Sequence, residues 1–130
     1  MKGEFINSRP IYQQIIDQVK MSIAKGELEP GERVLSVRDL ALQFKVNPNT
    51  MQKSLAKLED LGYLYSERTS GRYVTGDLAL IERLKAEIPS KITDKFVTDM
   101  VECGLEPTNI PDFVRTHIER SMPNGQHIRN

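Results

Sequence analysis

Apolar side chains recur along this chain in steps of three and four, broken by turn-forming residues. Tyr12, Ile15, Ile16, Val19 and Ile23 make one such face behind Pro10, a residue suited to the first turn of a helix, and Gly26 ends it. Leu28-Glu29-Pro30-Gly31 is a turn signal. Val37, Leu40, Ala41 and Phe44 predict a short second helix ending near Lys45, with Ser36 as its cap and Asp39 completing a weak capping box. Asn47-Pro48 is the clearest local signal: asparagine is among the best N-caps, and proline fits the first helical position because it needs no backbone N–H. A third helix is predicted from Pro48, with Met51, Leu55 and Leu58 inward and Gly62 just past its end.

The periodicity then changes from helical to alternating. Tyr63-Leu64-Tyr65-Ser66 and Arg72-Tyr73-Val74-Thr75 flank a polar stretch containing Gly71, which predicts a β-hairpin. Beyond Gly76, Ile81, Leu84, Ile88, Ile92, Phe96 and Met100 hold helical phase across Pro89, so one long helix kinked there is expected, stopped by Gly104. Thr108 is placed to cap a last helix carrying Ile110, Phe113, Val114 and Ile118. The fold class is mainly α with a small β-hairpin. The expected domains are a winged helix-turn-helix over residues 1–75, a two-helix dimerisation and effector segment over 76–121, and a flexible tail over 122–130.

Composition narrows function only modestly. The 130 residues are 38% apolar and 28% charged, the balance of an ordinary globular chain. No apolar run approaches the length of a membrane helix, and Met1 to Arg9 lacks the layout of a secretory signal, so the cytoplasm is the expected compartment. Cys103 has no second cysteine to pair with, and with only His117 and His127 no zinc site can be assembled; no cofactor or metal is expected. Formal net charge is zero. Residues 1–75 nevertheless carry 11 basic and 9 acidic side chains, against 7 and 9 over 76–130. Any nucleic-acid surface must therefore come from local segregation of charge.

Several stretches, taken in order, resemble the GntR family of bacterial repressors. They are Arg9-Pro10-Ile11-Tyr12-Gln13-Gln14-Ile15, Gly26-Glu27-Leu28-Glu29-Pro30-Gly31-Glu32-Arg33, Ser36-Val37-Arg38-Asp39-Leu40-Ala41 and Gly71. The segment from Val46 to Lys53 is similar to the YtrA branch, which has a short two-helix C-terminal part. The resemblance implies a dimeric regulator on a palindromic operator, and for that branch often control of transporter genes. Two departures matter. Leu35 stands where the family usually has proline, and Pro48 and Gln52 stand where larger branches have arginine, so arginine–guanine contacts are not carried over to those positions.

The candidate DNA-binding residues are Ser36, Arg38, Asn47, Asn49, Thr50, Gln52, Lys53, Arg68, Thr69, Ser70, Gly71 and Arg72. The start of a recognition helix meets base edges in the major groove. There Asn49 and Gln52 suit adenine, Lys53 suits guanine or phosphate, and Thr50 suits phosphate or a thymine methyl. The plainer alternative is a solvated polar face with Asn47 only a cap. For Arg38 the resemblance implies a DNA contact, against a surface ion pair with Asp39. Arg68 and Arg72 flank the wing tip Thr69-Ser70-Gly71, where glycine allows close backbone approach. Lys57, one turn beyond Lys53, is equally suited to phosphate or to water. Tyr65 and Tyr73 are expected to pack the hairpin.

Ile81, Leu84, Ile88, Ile92, Phe96, Met100, Phe113 and Val114 are the expected dimerisation residues, because two helices of this size bury little core alone. One long and one short helix cannot wall off a usual ligand cavity within a protomer, which leaves a site for an unknown small-molecule effector only at the dimer interface or between domains. Cys103 is expected in the core and His117 partly buried at the interface. No carboxylate pair, nucleophile–base set or phosphate loop has catalytic spacing, so an enzyme is not expected. The expectation is a sequence-specific transcription regulator. The alternative is a winged helix used for protein contact or nonspecific DNA organisation, which would place apolar residues at positions 49, 52 or 53.

Overall fold

The N-terminal stretch, which shows no periodicity, is held in place by two glutamines one helical turn apart. The computed structural model describes residues 3–122, and its first helix, α1, is Ile11–Ala24 with Pro10 at its N-cap. Buried Gln14 donates to the carbonyls of Ile6 and Arg9, both at 2.8 Å, and accepts the Ile6 N–H at 2.9 Å. Gln18 accepts the Gly3 N–H at 3.0 Å and donates to the Glu4 carbonyl at 2.8 Å. Phe5 is thereby laid against the core, its ring 6.3 Å from that of Phe44.

Helix α2 is Val37–Phe44, and the Asp39 N–H donates to Ser36 Oγ at 3.1 Å as the capping signal predicts. It ends on Lys45, whose φ of 57° and ψ of 48° are left-handed. For a side chain with a Cβ that costs roughly 1–2 kcal/mol. Phe44 and Met51, both buried on either side of the turn, hold it closed. Helix α3, Pro48–Asp60, follows at once, with Asn47 Oδ1 accepting the Asn49 N–H at 2.7 Å. It buries Met51, Ser54, Leu55 and Leu58. Ser54 Oγ lies 2.9 Å from the Thr50 carbonyl and 3.2 Å from that of Tyr12, which ties α3 to α1. Gly62, at φ 88°, closes the helix as predicted, with the Tyr63 N–H bonded back to the Leu58 carbonyl at 3.0 Å.

Strands β1 (Leu64–Glu67) and β2 (Gly71–Val74) form the hairpin, antiparallel, with Leu64 opposite Val74 and Glu67 opposite Gly71. The structure adds a third edge that the turn signal at 28–31 does not reveal. Arg33 bridges Tyr73, the Val74 N–H donates to the Glu32 carbonyl at 2.8 Å, and the Val34 N–H donates to the Arg72 carbonyl at 2.9 Å. The chain leading into α2 thus stiffens the wing.

Helix α4 is Leu78–Glu102 and contains Pro89. The compact first unit ends at Ile88, beyond the Thr75 boundary that the change of periodicity predicts. Ile81 and Leu84, 4% and 1% exposed, belong to its core with Ile15, Leu55 and Leu58, and Ile88 packs partly against it. These three were expected at a dimer interface; in the structure Ile81 and Leu84 are buried in the first unit's core and Ile88 lies at its margin.

The second unit begins at Pro89. The Leu105 N–H donates to the Met100 carbonyl at 3.1 Å across Gly104, whose φ is 103°, ending α4 as predicted. A 3₁₀ turn over Pro107–Asn109 precedes α5, Ile110–Ser121, so Thr108 lies inside that turn and is not the cap. Ile92, Phe96, Val97, Val101, Phe113 and Ile118 are exposed, while Met100 and Val114 are partly covered. Cys103 is exposed, against the expectation of a core position, and His117 is exposed in the single chain. Of the expected tail, residues 123–130 lie outside the described residues.

Candidate DNA-binding interface

Helix α3 packs against α1, α2 and β1, so its buried side is spoken for and its opposite side is polar by elimination. Asn49, Gln52 and Lys53 are exposed there, and Thr50 is partly covered. The alternation follows from helical geometry, since Met51, Ser54, Leu55 and Leu58 take the inward positions. Asn47 is exposed but its side chain is committed to the cap, as is that of Ser36. Both therefore set the start of a helix, where backbone N–H groups and the dipole favour an anion.

Arg38 occupies the first turn of α2 and is exposed, with no ion pair among the described residues. The alternative partner Asp39 does not hold it. In the wing, Arg68 and Thr69 are exposed at the tip, and the Ser70 hydroxyl receives the Tyr73 Oη donor at 2.8 Å. Tyr65 and Tyr73 stack with ring centroids 5.6 Å apart, packing the hairpin as expected.

Two wing residues behave differently from a free basic edge. Arg72 is partly buried, and its Nε donates to Glu59 Oε1 at 3.1 Å; Glu59 also bonds the Ser66 hydroxyl. Glu59 lies on α3, and Ser66 and Arg72 face each other in the hairpin register, so this carboxylate fastens both strands to the recognition helix. Arg72 is accordingly a strut. Gly71, at φ 118°, sits under Arg33: a Cβ there would come within 3.1 Å of Arg33 Nε. The exposed Arg33 joins the wing for this reason. The sequence places it nearly forty positions from Gly71, and only the third edge of the sheet brings the two together.

This division gives a measurable difference. Replacing Arg68 with alanine should flatten the slope of log affinity against log salt by about 0.9 per wing if the residue meets phosphate. Replacing Arg72 should mainly cost stability, about 1–2 kcal/mol, because it strands a partly buried Glu59. Salt titrations and thermal melts of the two variants separate these effects. Equal slope changes with unchanged melting would show that Arg72 is no strut.

Among the described residues no group of His, Cys, Asp and Glu is arranged to hold a metal ion, and no helix is long and apolar enough to cross a membrane. The profile of bacterial regulatory proteins of the gntR family matches residues 11–74, which span α1 to the end of β2. The chain is 32% identical to the transcriptional repressor YtrA of Bacillus subtilis (strain 168) over 111 residues, covering 84% of this chain and 85% of YtrA. It also superposes on a GntR family transcriptional regulator from Listeria monocytogenes with a TM-score of 0.79 and 37% identity, covering 86% of this chain and 98% of that one. The DNA-binding domain of AraR in complex with its operator ORX1 aligns at a TM-score of 0.52 and 26% identity, over 55% of this chain and 93% of that one. A winged helix with these relatives has a settled place: the chain belongs to the GntR family of bacterial regulatory proteins, which are transcription regulators.

Proposed function

We infer that this chain is a repressor that binds a palindromic operator as a homodimer, reading bases with the exposed start of α3 and holding the backbone with Arg38 and the wing tip. The observation that carries the reading is the two-sidedness of α3: Asn49, Gln52 and Lys53 stand exposed while Met51, Leu55 and Leu58 are buried. A helix built for protein contact would expose apolar residues at those three positions. AraR, in complex with operator DNA, lends support through its shared winged-helix fold. Dimerisation is supported by the uncovered Ile92, Phe96, Val97, Val101, Phe113 and Ile118 of the second unit, with Met100 and Val114 beside them. The likeness to the YtrA branch extends the reading to cytoplasmic control of transporter genes.

Selection of tight binders from a pool of random duplexes tests this. The enriched sequence should be an inverted repeat, with half-sites about one helical turn apart, bound by two protomers. A single asymmetric site occupied by one protomer would overturn the dimeric reading. No enrichment at all would point to nonspecific binding.

A further inference from the structure

Lys53 is exposed, yet its ammonium does not point freely into solvent. It lies 4.0 Å from the centroid of the Tyr12 ring, on α1. Tyr12 makes two further contacts, one through its backbone carbonyl and one through its ring hydroxyl. The Tyr12 carbonyl lies 3.2 Å from the buried Ser54 hydroxyl of α3, and Gln13 Nε2 donates to Tyr12 Oη at 3.4 Å. An isolated lysine carries about 2 kcal/mol of rotamer entropy, which ordering on DNA must overcome. A cation over a ring face is attracted through one side only, so the ammonium keeps N–H donors for another partner.

We propose that Tyr12 is a positioning residue for Lys53: its ring seats the ammonium toward α1, at the margin of the α3 face, so that Lys53 meets a backbone phosphate and not a base edge. This rests on the reading of α3 as the recognition helix and settles the choice between guanine and phosphate for Lys53. Tyr12 belongs to α1, outside the two-helix motif, so the ammonium is held against a different element from the one that carries Asn49 and Gln52. Phosphate contacts fix orientation without carrying sequence information. The seat would therefore set the register in which Gln52 reads.

The test is a double-mutant cycle in the full chain, on a duplex selected from the random pool and on an unrelated duplex of equal length. Lys53→Met should weaken both duplexes alike and flatten the salt slope by about 0.9 per protomer. Tyr12→Leu should weaken both by about 2–5-fold, the loss of an exposed cation–π contact. Tyr12→Phe should stay within about twofold because the ring remains. In the Lys53→Met background, Tyr12→Leu should change nothing. Equal losses from Tyr12→Leu in both backgrounds, or a loss confined to the selected duplex, would overturn the proposal. The Lys53 ε-methylene protons of the free protein give a second readout should Tyr12→Leu fold poorly. Ring current should shift them upfield in wild type and Tyr12→Phe, and an unshifted wild-type signal would overturn the seat. If Gln52→Ala leaves affinity for the selected duplex unchanged, the recognition-helix reading itself fails. If Gln52→Ala is selective while the cycle is additive, only the role of Tyr12 fails.

Discussion

Cutting the chain after Thr75 is expected to leave a poorly folded fragment, whereas cutting after Ile88 is expected to leave a stable one. The reason is where the core ends. Ile81 and Leu84 are almost wholly buried in the same core as Ile15, Leu55 and Leu58, and Leu80 and Ile88 pack at its margin. Burying a side chain of this kind stabilises by about 1.5–3 kcal/mol, so losing the two most buried removes roughly 3–6 kcal/mol. Folded domains of this size have only about 5–15 kcal/mol in total. The shorter fragment should melt at least about 12 °C below the longer one, or show no cooperative transition. Thermal unfolding followed by circular dichroism decides it. Equal melting temperatures would mean that the start of α4 adds nothing to the first unit.

The fragment ending at Ile88 should also be monomeric and should lose about 10²–10⁴-fold in affinity for an inverted-repeat operator. It retains α2, α3 and the wing, and with them every contact proposed for one half-site. What it lacks is the second unit, where Phe96 is 40% and Phe113 55% exposed, far above the few per cent of the core positions. Joining two half-site binders makes the second contact intramolecular, which raises affinity without any new contact to DNA. Sedimentation of the fragment and the intact chain at micromolar concentration, paired with binding to whole and half operators, measures both effects. A monomeric intact chain, or a fragment that binds the whole operator as tightly as the intact chain does, would remove the second unit from DNA binding.

The elements that could be read from the sequence are those fixed by local chemistry. Asn47-Pro48 starts α3, Ser36 caps α2, and Gly62 and Gly104 end α3 and α4, because each signal acts within one turn of its own residue. The hairpin was legible from its alternation and from the polar tip. What could not be read depends on contacts distant in sequence. Helical phase shows that Ile81, Leu84, Ile92 and Phe96 share a face, but not that the first two meet the core of a preceding domain while the others stay exposed. Gln14 and Gln18 gave no pattern because a glutamine that clasps a backbone segment looks like any polar helical residue. In the candidate interface, exposure of Arg38, Asn49, Gln52 and Arg68 followed from helix phase and turn position. The capture of Arg72 by Glu59 and of Lys53 by Tyr12 did not, since both pairs join different elements.

If α3 reads bases, Gln52 is the residue whose loss must show it. It replaces the arginine of larger branches of the family, it is exposed, and it carries no structural duty that its loss would disturb. Affinity of wild type and Gln52→Ala for the selected operator and for an unrelated duplex, at one fixed salt concentration, tests this directly. Gln52→Ala should lose about 1–3 kcal/mol per half-site on the operator, with affinity for the unrelated duplex unchanged. Equal affinity of the two proteins for the operator would contradict it.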